Sequence, residues 1–271
     1  MSFLQTILQE AYPAVARDKQ ERPQAELERM LPDAPPVRNF HAALTGDFRL
    51  IAEIKKRSPS MGEMRPRNVA ESTTAYEASP VVAALSILTN EPFFGMNLAD
   101  LTRAREEVTK PVLRKDFIFD PYQVIEARVA GADAILLMAN VVSGDTMKQL
   151  LDLASELGMA ALVEVHTAAE IAALPKGVRI CGINSRKFQS NTGFLESGEN
   201  ASTDFSLEMG AFDLVTRLPG GVTRVAESGL TAENLPPVRE RFDAGLVGTS
   251  LLRSEVGVAS ELSKFEAAIK S

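Results

Sequence analysis

Cysteine, histidine and long apolar runs are all scarce in this 271-residue chain, and each scarcity closes off a class of function. The single cysteine, Cys181, permits no internal disulfide. It lies in the apolar run before Gly182, which reads as a buried thiol in a reducing compartment and not as a nucleophile. The two histidines, His41 and His166, have no companions at metal-ligand spacing, so both are assigned structural or surface roles and neither metal nor cofactor is expected. No stretch reaches membrane-spanning length. The N-terminal MSFLQTILQE carries no basic segment and meets Glu10 early, unlike a secretory leader. Basic runs are missing too: 29 Lys and Arg against 36 Asp and Glu leave a net charge of −7, which speaks against a nucleic-acid partner. An anionic ligand would have to be caught locally. A cytoplasmic protein is expected, and the sequence is compatible with a monomer.

What the chain does have is a repeat of strand, loop and helix. Apolar runs that read as strands lie at Leu50–Ile54, Val81–Leu88, Pro111–Arg114, Ala134–Met138, Ala160–Val163, Val178–Ile183, Val222–Ala226 and Ala244–Val247. Amphipathic patterns between them predict helices at Val69–Ala78, Leu98–Val108, Tyr122–Ala130, Gly144–Leu157 and Ala168–Leu174. Eight units of roughly 28 residues fit a (β/α)8 TIM barrel, an α/β fold, as one domain over 1–271. The first 46 residues hold helix-period stretches at Phe3–Val15 and Glu26–Met30, broken by prolines, and are expected to form a helical extension flanking the barrel mouth. A polar stretch, Gln189–Thr203, reads as a mobile loop on the same rim.

Polar residues stand where these apolar runs stop. Glu53 and Lys55 are two apart and so share one face of the first strand. Later runs end in Lys115, Glu164, Asn184, and Glu227 with Ser228. In a barrel such positions converge at one end, where active sites sit. Ser228-Gly229 and Gly248-Thr249 follow the last two strands, where backbone N–H groups commonly hold a phosphate and a Cβ would keep its oxygens away. Phe94 and Phe117 lie just beyond strand ends, as does Phe93, and suit a wall for an aromatic ring.

Taken in order, RNFHAAL, EIKKRSPS, LSILTNEPFFG, VLRKDF, GADAILL, LVEVHT, GINSR, VAESGL and LVGTSLLR closely resemble the indole-3-glycerol phosphate synthase family. The resemblance implies ring closure, decarboxylation and dehydration of 1-(2-carboxyphenylamino)-1-deoxyribulose 5-phosphate in tryptophan biosynthesis. It implies a catalytic set of Glu53, Lys55, Lys115, Glu164, Asn184, Glu227 and Ser228, with Ser58, Phe94, Phe117, Arg186, Gly229, Gly248 and Thr249 binding substrate. Lys115 is the expected acid, its pKa lowered by a neighbouring cation such as Lys55. Glu164 is the expected base or cation stabiliser. Glu53 and Glu227 hold the lysines and substrate hydroxyls, Asn184 orients, and Arg186 faces the anthranilate carboxylate.

Each residue also has a plainer reading. Glu53 and Lys55 would be the solvated face of an edge strand, Lys115-Asp116 an exposed turn pair, and Glu164 the cap of a helix beginning near Thr167. An aldolase-type barrel with a Schiff-base lysine, or a degenerate phosphate-binding barrel, are the rival functions. The chain departs from the family pattern at Met61, often Lys, at Met96, often Gly, and at Lys187-Phe188, where a longer stretch follows GINSR.

Overall fold

A computed structural model describes residues 3–186 and 207–271. Eight parallel strands close on themselves: β1 (Arg49–Ile54), β2 (Val82–Leu88), β3 (Val112–Lys115), β4 (Ala134–Met138), β5 (Ala160–Val165), β6 (Ile180–Asn184), β7 (Thr223–Glu227) and β8 (Ala244–Val247), with β1 paired to both β2 and β8. The architecture is the (β/α)8 barrel that the repeat predicts. Alternation along each strand sorts the side chains. Ile51, Leu113, Leu162, Ile180 and Val225 belong to the cluster filling the barrel, while Leu50, Val112, Val163, Cys181 and Ala226 pack in the cluster outside it.

Several strands run past the apolar stretch that announced them. Strand β3 reaches Lys115, β5 passes Glu164 to Val165, β6 ends on Asn184 and β7 on Glu227. Pairing continues because the ladder needs only backbone groups: Leu88 faces Lys115, Met138 faces Glu164, and Asn184 faces Glu227 in register. The chemistry-bearing side chains therefore hang from rigid ladder and not from loops. A closed barrel has no edge, so the edge-strand reading of Glu53 and Lys55 does not hold.

Around the barrel run α1 (Phe3–Glu21), α2 (Gln24–Met30), α3 (Phe40–Ala43), α4 (Pro66–Ala78), α5 (Leu98–Glu107), α6 (Pro121–Val129), α7 (Gly144–Glu156), α8 (Ala168–Ala172), α9 (Leu235–Arg239), α10 (Thr249–Leu252) and α11 (Val258–Lys270). Between β6 and β7 the described element is a 3-10 stretch, Met209–Arg217. Helix starts follow their capping chemistry: Asn97 and Asp120 close capping boxes on α5 and α6, and Thr167 accepts the Glu170 N–H at the start of α8.

The N-terminal extension touches both ends of the barrel. Tyr12 of α1 lies 4.4 Å, centroid to centroid, from Phe119 in the loop after β3, and Lys19 reaches Asp120 there at 2.6 Å. At the opposite end His41 Nε2 is 3.0 Å from Thr223 Oγ1 at the foot of β7. At the same end the buried Asp133 carboxylate accepts the N–H groups of Arg38 and Val112 at 2.7 and 2.8 Å and pairs with the Arg105 guanidinium at 3.3 Å. Asp133→Ala strands a buried guanidinium and two amides, so a loss of about 3–5 kcal/mol is expected. Calorimetry should show the lower Tm, with turnover per folded molecule unchanged because the cluster lies away from the barrel's C-terminal end.

Candidate active site

The C-terminal ends of the strands meet around Lys115. Its Nζ lies 2.8 Å from Glu227 Oε2 and 3.2 Å from Glu164 Oε2, and both carboxylates are 1 % exposed. Neighbouring Lys55 donates to Glu53 Oε1 at 2.5 Å across one face of the first strand and its continuation. Glycine makes the room: a Cβ at Gly182 would overlap Glu227 Oε1, and one at Gly248 would stand 2.5 Å from Glu53 Oε1. Gly248 thus makes room for a carboxylate. The Tyr76 hydroxyl donates to the Glu53 carbonyl at 3.1 Å and fixes the top of β1.

Burial alone would push the Lys115 ammonium to lose its proton, but the carboxylates of Glu227, Glu164 and Glu53 outweigh it and hold its pKa above the usual lysine range. This corrects the expectation of a lowered value. Lys55 is committed to Glu53, and the charges that reach Lys115 are negative. The two carboxyls on Lys115 then diverge. Glu227 is pushed up to about 8 by burial and by Glu164, against the pull of Lys115. Glu164, although equally buried, is drawn below the usual carboxylate range by Lys115 and His166. At neutral pH the cluster reads as an ammonium, one carboxylate and one carboxylic acid.

Above this cluster opens a cavity of about 310 Å³. Glu53, Lys55, Ser58, Phe94, Lys115, Phe117, Glu164, Asn184, Arg186, Ser228, Gly229, Gly248 and Thr249 all line it, whereas Glu227 stands behind Lys115 and Phe93 is not among the lining residues. Ser228 and Gly229 both adopt left-handed backbone, φ 69° and 70°, a conformation that is costly for a serine. Arg186 donates to Ser60 Oγ at 3.0 Å, and its backbone N–H reaches Asn184 Oδ1 at 3.0 Å. Lys187-Phe188 and the Gln189–Thr203 stretch lie outside the described residues.

Two plainer readings fail here. Asp116 is buried, accepting Thr89 Oγ1 at 2.7 Å and Arg114 Nη2 at 3.1 Å, so Lys115-Asp116 is no exposed turn. Thr167, not Glu164, caps α8. Sequence reasoning passed over Asp116, Ser60 and His166, whose Nε2 lies 3.3 Å from Glu164 Oε1. A signal for the last was present, since His166 follows Glu164 by two residues as Lys55 follows Glu53. Met61, where the family often has Lys, stands half-exposed on the cavity wall, and Met96 is buried in the outer core. Among the described residues no group of three or more His, Cys, Asp or Glu is placed to hold a metal ion, and no helix is long and apolar enough to cross a membrane.

Comparison with known proteins agrees with this site. The family model for indole-3-glycerol phosphate synthase matches residues 4–261. Curated relatives of that name include one from Rhodopirellula baltica, 38 % identical over 93 % of this chain and 95 % of the relative, and one from Chlorobium phaeovibrioides, 37 % identical over the same shares. A third, from Rhizorhabdus wittichii, is 40 % identical over 89 % of each chain. A match over nearly the whole chain, on a barrel whose strand ends carry this lysine and carboxylate cluster, places the protein in the indole-3-glycerol phosphate synthase family.

Proposed function

We infer that the protein converts 1-(2-carboxyphenylamino)-1-deoxyribulose 5-phosphate to indole-3-glycerol phosphate, with loss of carbon dioxide and water, as a carboxy-lyase of tryptophan biosynthesis. The observation that carries the residue-level reading is Lys115 Nζ between Glu164 and Glu227 at the floor of a cavity large enough for the substrate's reacting centre. Ring closure brings the carboxylate-bearing carbon of the anthranilate ring onto the ketone. Negative charge grows on the ketone oxygen, and the Lys115 ammonium is the donor assigned to it. Its raised pKa keeps it charged at neutral pH, and a developing alkoxide is a far stronger base than an amine, so donation remains downhill. The same raised pKa disfavours a Schiff base at Lys115, which requires a free amine.

Ring closure itself leaves a cationic imine, which the Glu164 carboxylate stabilises; carbon dioxide then leaves and its bonding pair neutralises that imine. The hydroxyl departs as water on a proton from Lys115, recharged from solvent, and Glu164 takes the methylene proton of the resulting cation as the indole becomes aromatic. Glu53 holds Lys55 toward the cavity at 2.5 Å. Asn184 orients the substrate. The Ser228-Gly229 and Gly248-Thr249 turns, with Ser58 and Lys55, are the proposed phosphate corner, supported by backbone that a glycine leaves open. Phe94 and Phe117 wall the anthranilate ring, and Arg186 faces its carboxylate. The only cysteine is buried, which supports a reducing, cytoplasmic setting.

The activity is tested by incubating the protein with the carboxyphenylamino-deoxyribulose phosphate and following indole fluorescence. Lys115→Met should cut turnover by about 10²-fold or more with circular dichroism unchanged. Near-normal turnover in that variant removes Lys115 from its role.

A second expectation concerns pH. Glu227 keeps its proton below about 8 and loses it above. Once it ionises, two anions grip Lys115 and the ketone oxygen must compete with both, so kcat/KM should fall as pH rises through that value. Glu227→Gln should abolish this basic limb. A limb that persists unchanged in the variant assigns it to another group.

A further inference from the structure

Two buried carboxyls share one ammonium, and Lys115 stands nearer Glu227, at 2.8 Å against 3.2 Å, so its position does not single out Glu164. Besides the Asn184 amide, a further difference lies on the other side of Glu164. His166 is the first residue beyond β5, and alternation along the strand returns its ring to the face that bears Glu164. Its Nε2 lies 3.3 Å from Glu164 Oε1, the oxygen that Lys115 does not take, and the ring is 6 % exposed. The far side of the ring is held as well. Helix α8 begins at its Thr167 cap, which places Glu170 in the first turn, where Oε2 accepts the His166 backbone N–H at 2.6 Å and lies 3.7 Å from His166 Nδ1. The charged groups around His166 are thus Glu164 on its own strand, Glu170 on α8 and Glu227 on β7, with Lys115 of β3 beyond the two carboxyls.

We propose that His166 is a positioning residue which, carried by Glu170, decides that Glu164 and not Glu227 is the ionised member of the pair. Glu164 has a basic group within 4 Å of each oxygen, Lys115 on Oε2 and His166 on Oε1, whereas the described ion pair of Glu227 is with Lys115. Burial opposes charge on the imidazole, but the hydrogen-bonding and charge of Glu170, with Glu164 and Glu227, raise its pKa above the usual histidine value. The three-residue pattern is the one that begins the site: Glu53-Ile54-Lys55 on the first strand and Glu164-Val165-His166 on the fifth each place a cation two residues beyond a strand-end glutamate. A lysine in the second position would leave a permanent charge. Histidine makes the fifth-strand cation dependent on Glu170.

The proposal rests on the reading of Glu164 as the group that must be ionised for turnover. The test is the pH profile of kcat/KM for the parent protein, His166→Leu, His166→Gln, Glu170→Gln and Glu164→Gln, on the full chain with the carboxyphenylamino-deoxyribulose phosphate. Losing a cation within about 4 Å of a carboxylate should move the acid limb to higher pH by about one unit or more in His166→Leu, with KM little changed since His166 stands behind the cavity wall. His166→Gln keeps a donor without the charge and should show the same displacement even if the leucine variant folds poorly. Glu170→Gln should move the limb the same way by less. An acid limb that stays in place in His166→Gln, with only a lower Tm or a uniform drop in kcat, would overturn the assignment to His166. Undiminished turnover in Glu164→Gln would instead overturn the reading of Glu164, so the two failures are distinct.

Discussion

An ammonium and two carboxyl groups at the dry end of a barrel cannot all be charged without one charge lacking a counter-charge, and this constraint organises the rest of the site. Removing a carboxylate from water costs several kcal/mol, and a single ammonium offsets that for one neighbour better than for two. The second carboxyl therefore keeps a proton. Lys115 between Glu164 and Glu227, at 3.2 and 2.8 Å, is the geometry in which this occurs. Several other features serve it. Gly182 leaves the volume that the Glu227 carboxyl fills. Arg114, pointing outward from β3, is locked by Thr89, Asp116, Gln123 and Glu126, so the backbone on either side of Lys115 has little freedom to turn its ammonium away.

The two ends of the barrel divide the labour. At the N-terminal end Asp133 knits the feet of β3 and β4 to Arg38 of the extension and Arg105 of α5, all in hydrogen bonds and ion pairs. At the C-terminal end polar groups are left facing a cavity, and one residue there, Ser228, holds a backbone conformation that serine rarely takes. The left-handed serine thus sits at the cavity end of the barrel. The extension spans the two ends, with Tyr12 and Lys19 against the loop after β3 and His41 at the foot of β7.

The strands were legible because a barrel strand buried on both faces has to be an apolar run, and the helices because each shows one apolar face. The strand ends were misjudged by a residue or two for the same reason: Lys115, Asn184 and Glu227 interrupt apolarity but not backbone pairing. That these residues converge was readable from their position in the repeat. Their charge states were not. A linear reading counted Lys55 as the second cation beside Lys115, but the fold gives Lys55 to Glu53 and turns three acidic side chains toward Lys115. His166 was set aside for want of a metal-ligand companion, when the relevant companion was Glu164 two residues back on the same face. The route of the extension to both ends was hidden, since prolines show where its helices stop but not where the chain goes next.

The most direct test of this account is infrared spectroscopy of the carboxyl carbonyl stretch in the ligand-free protein, comparing the parent with Glu227→Gln and Glu164→Gln across pH. The account predicts a buried protonated carboxyl at pH 7 that is lost in Glu227→Gln, is retained in the parent until the pH passes about 8, and is not contributed by Glu164. A spectrum at pH 7 with both glutamates ionised, or one whose protonated band survives Glu227→Gln and disappears in Glu164→Gln, would contradict it.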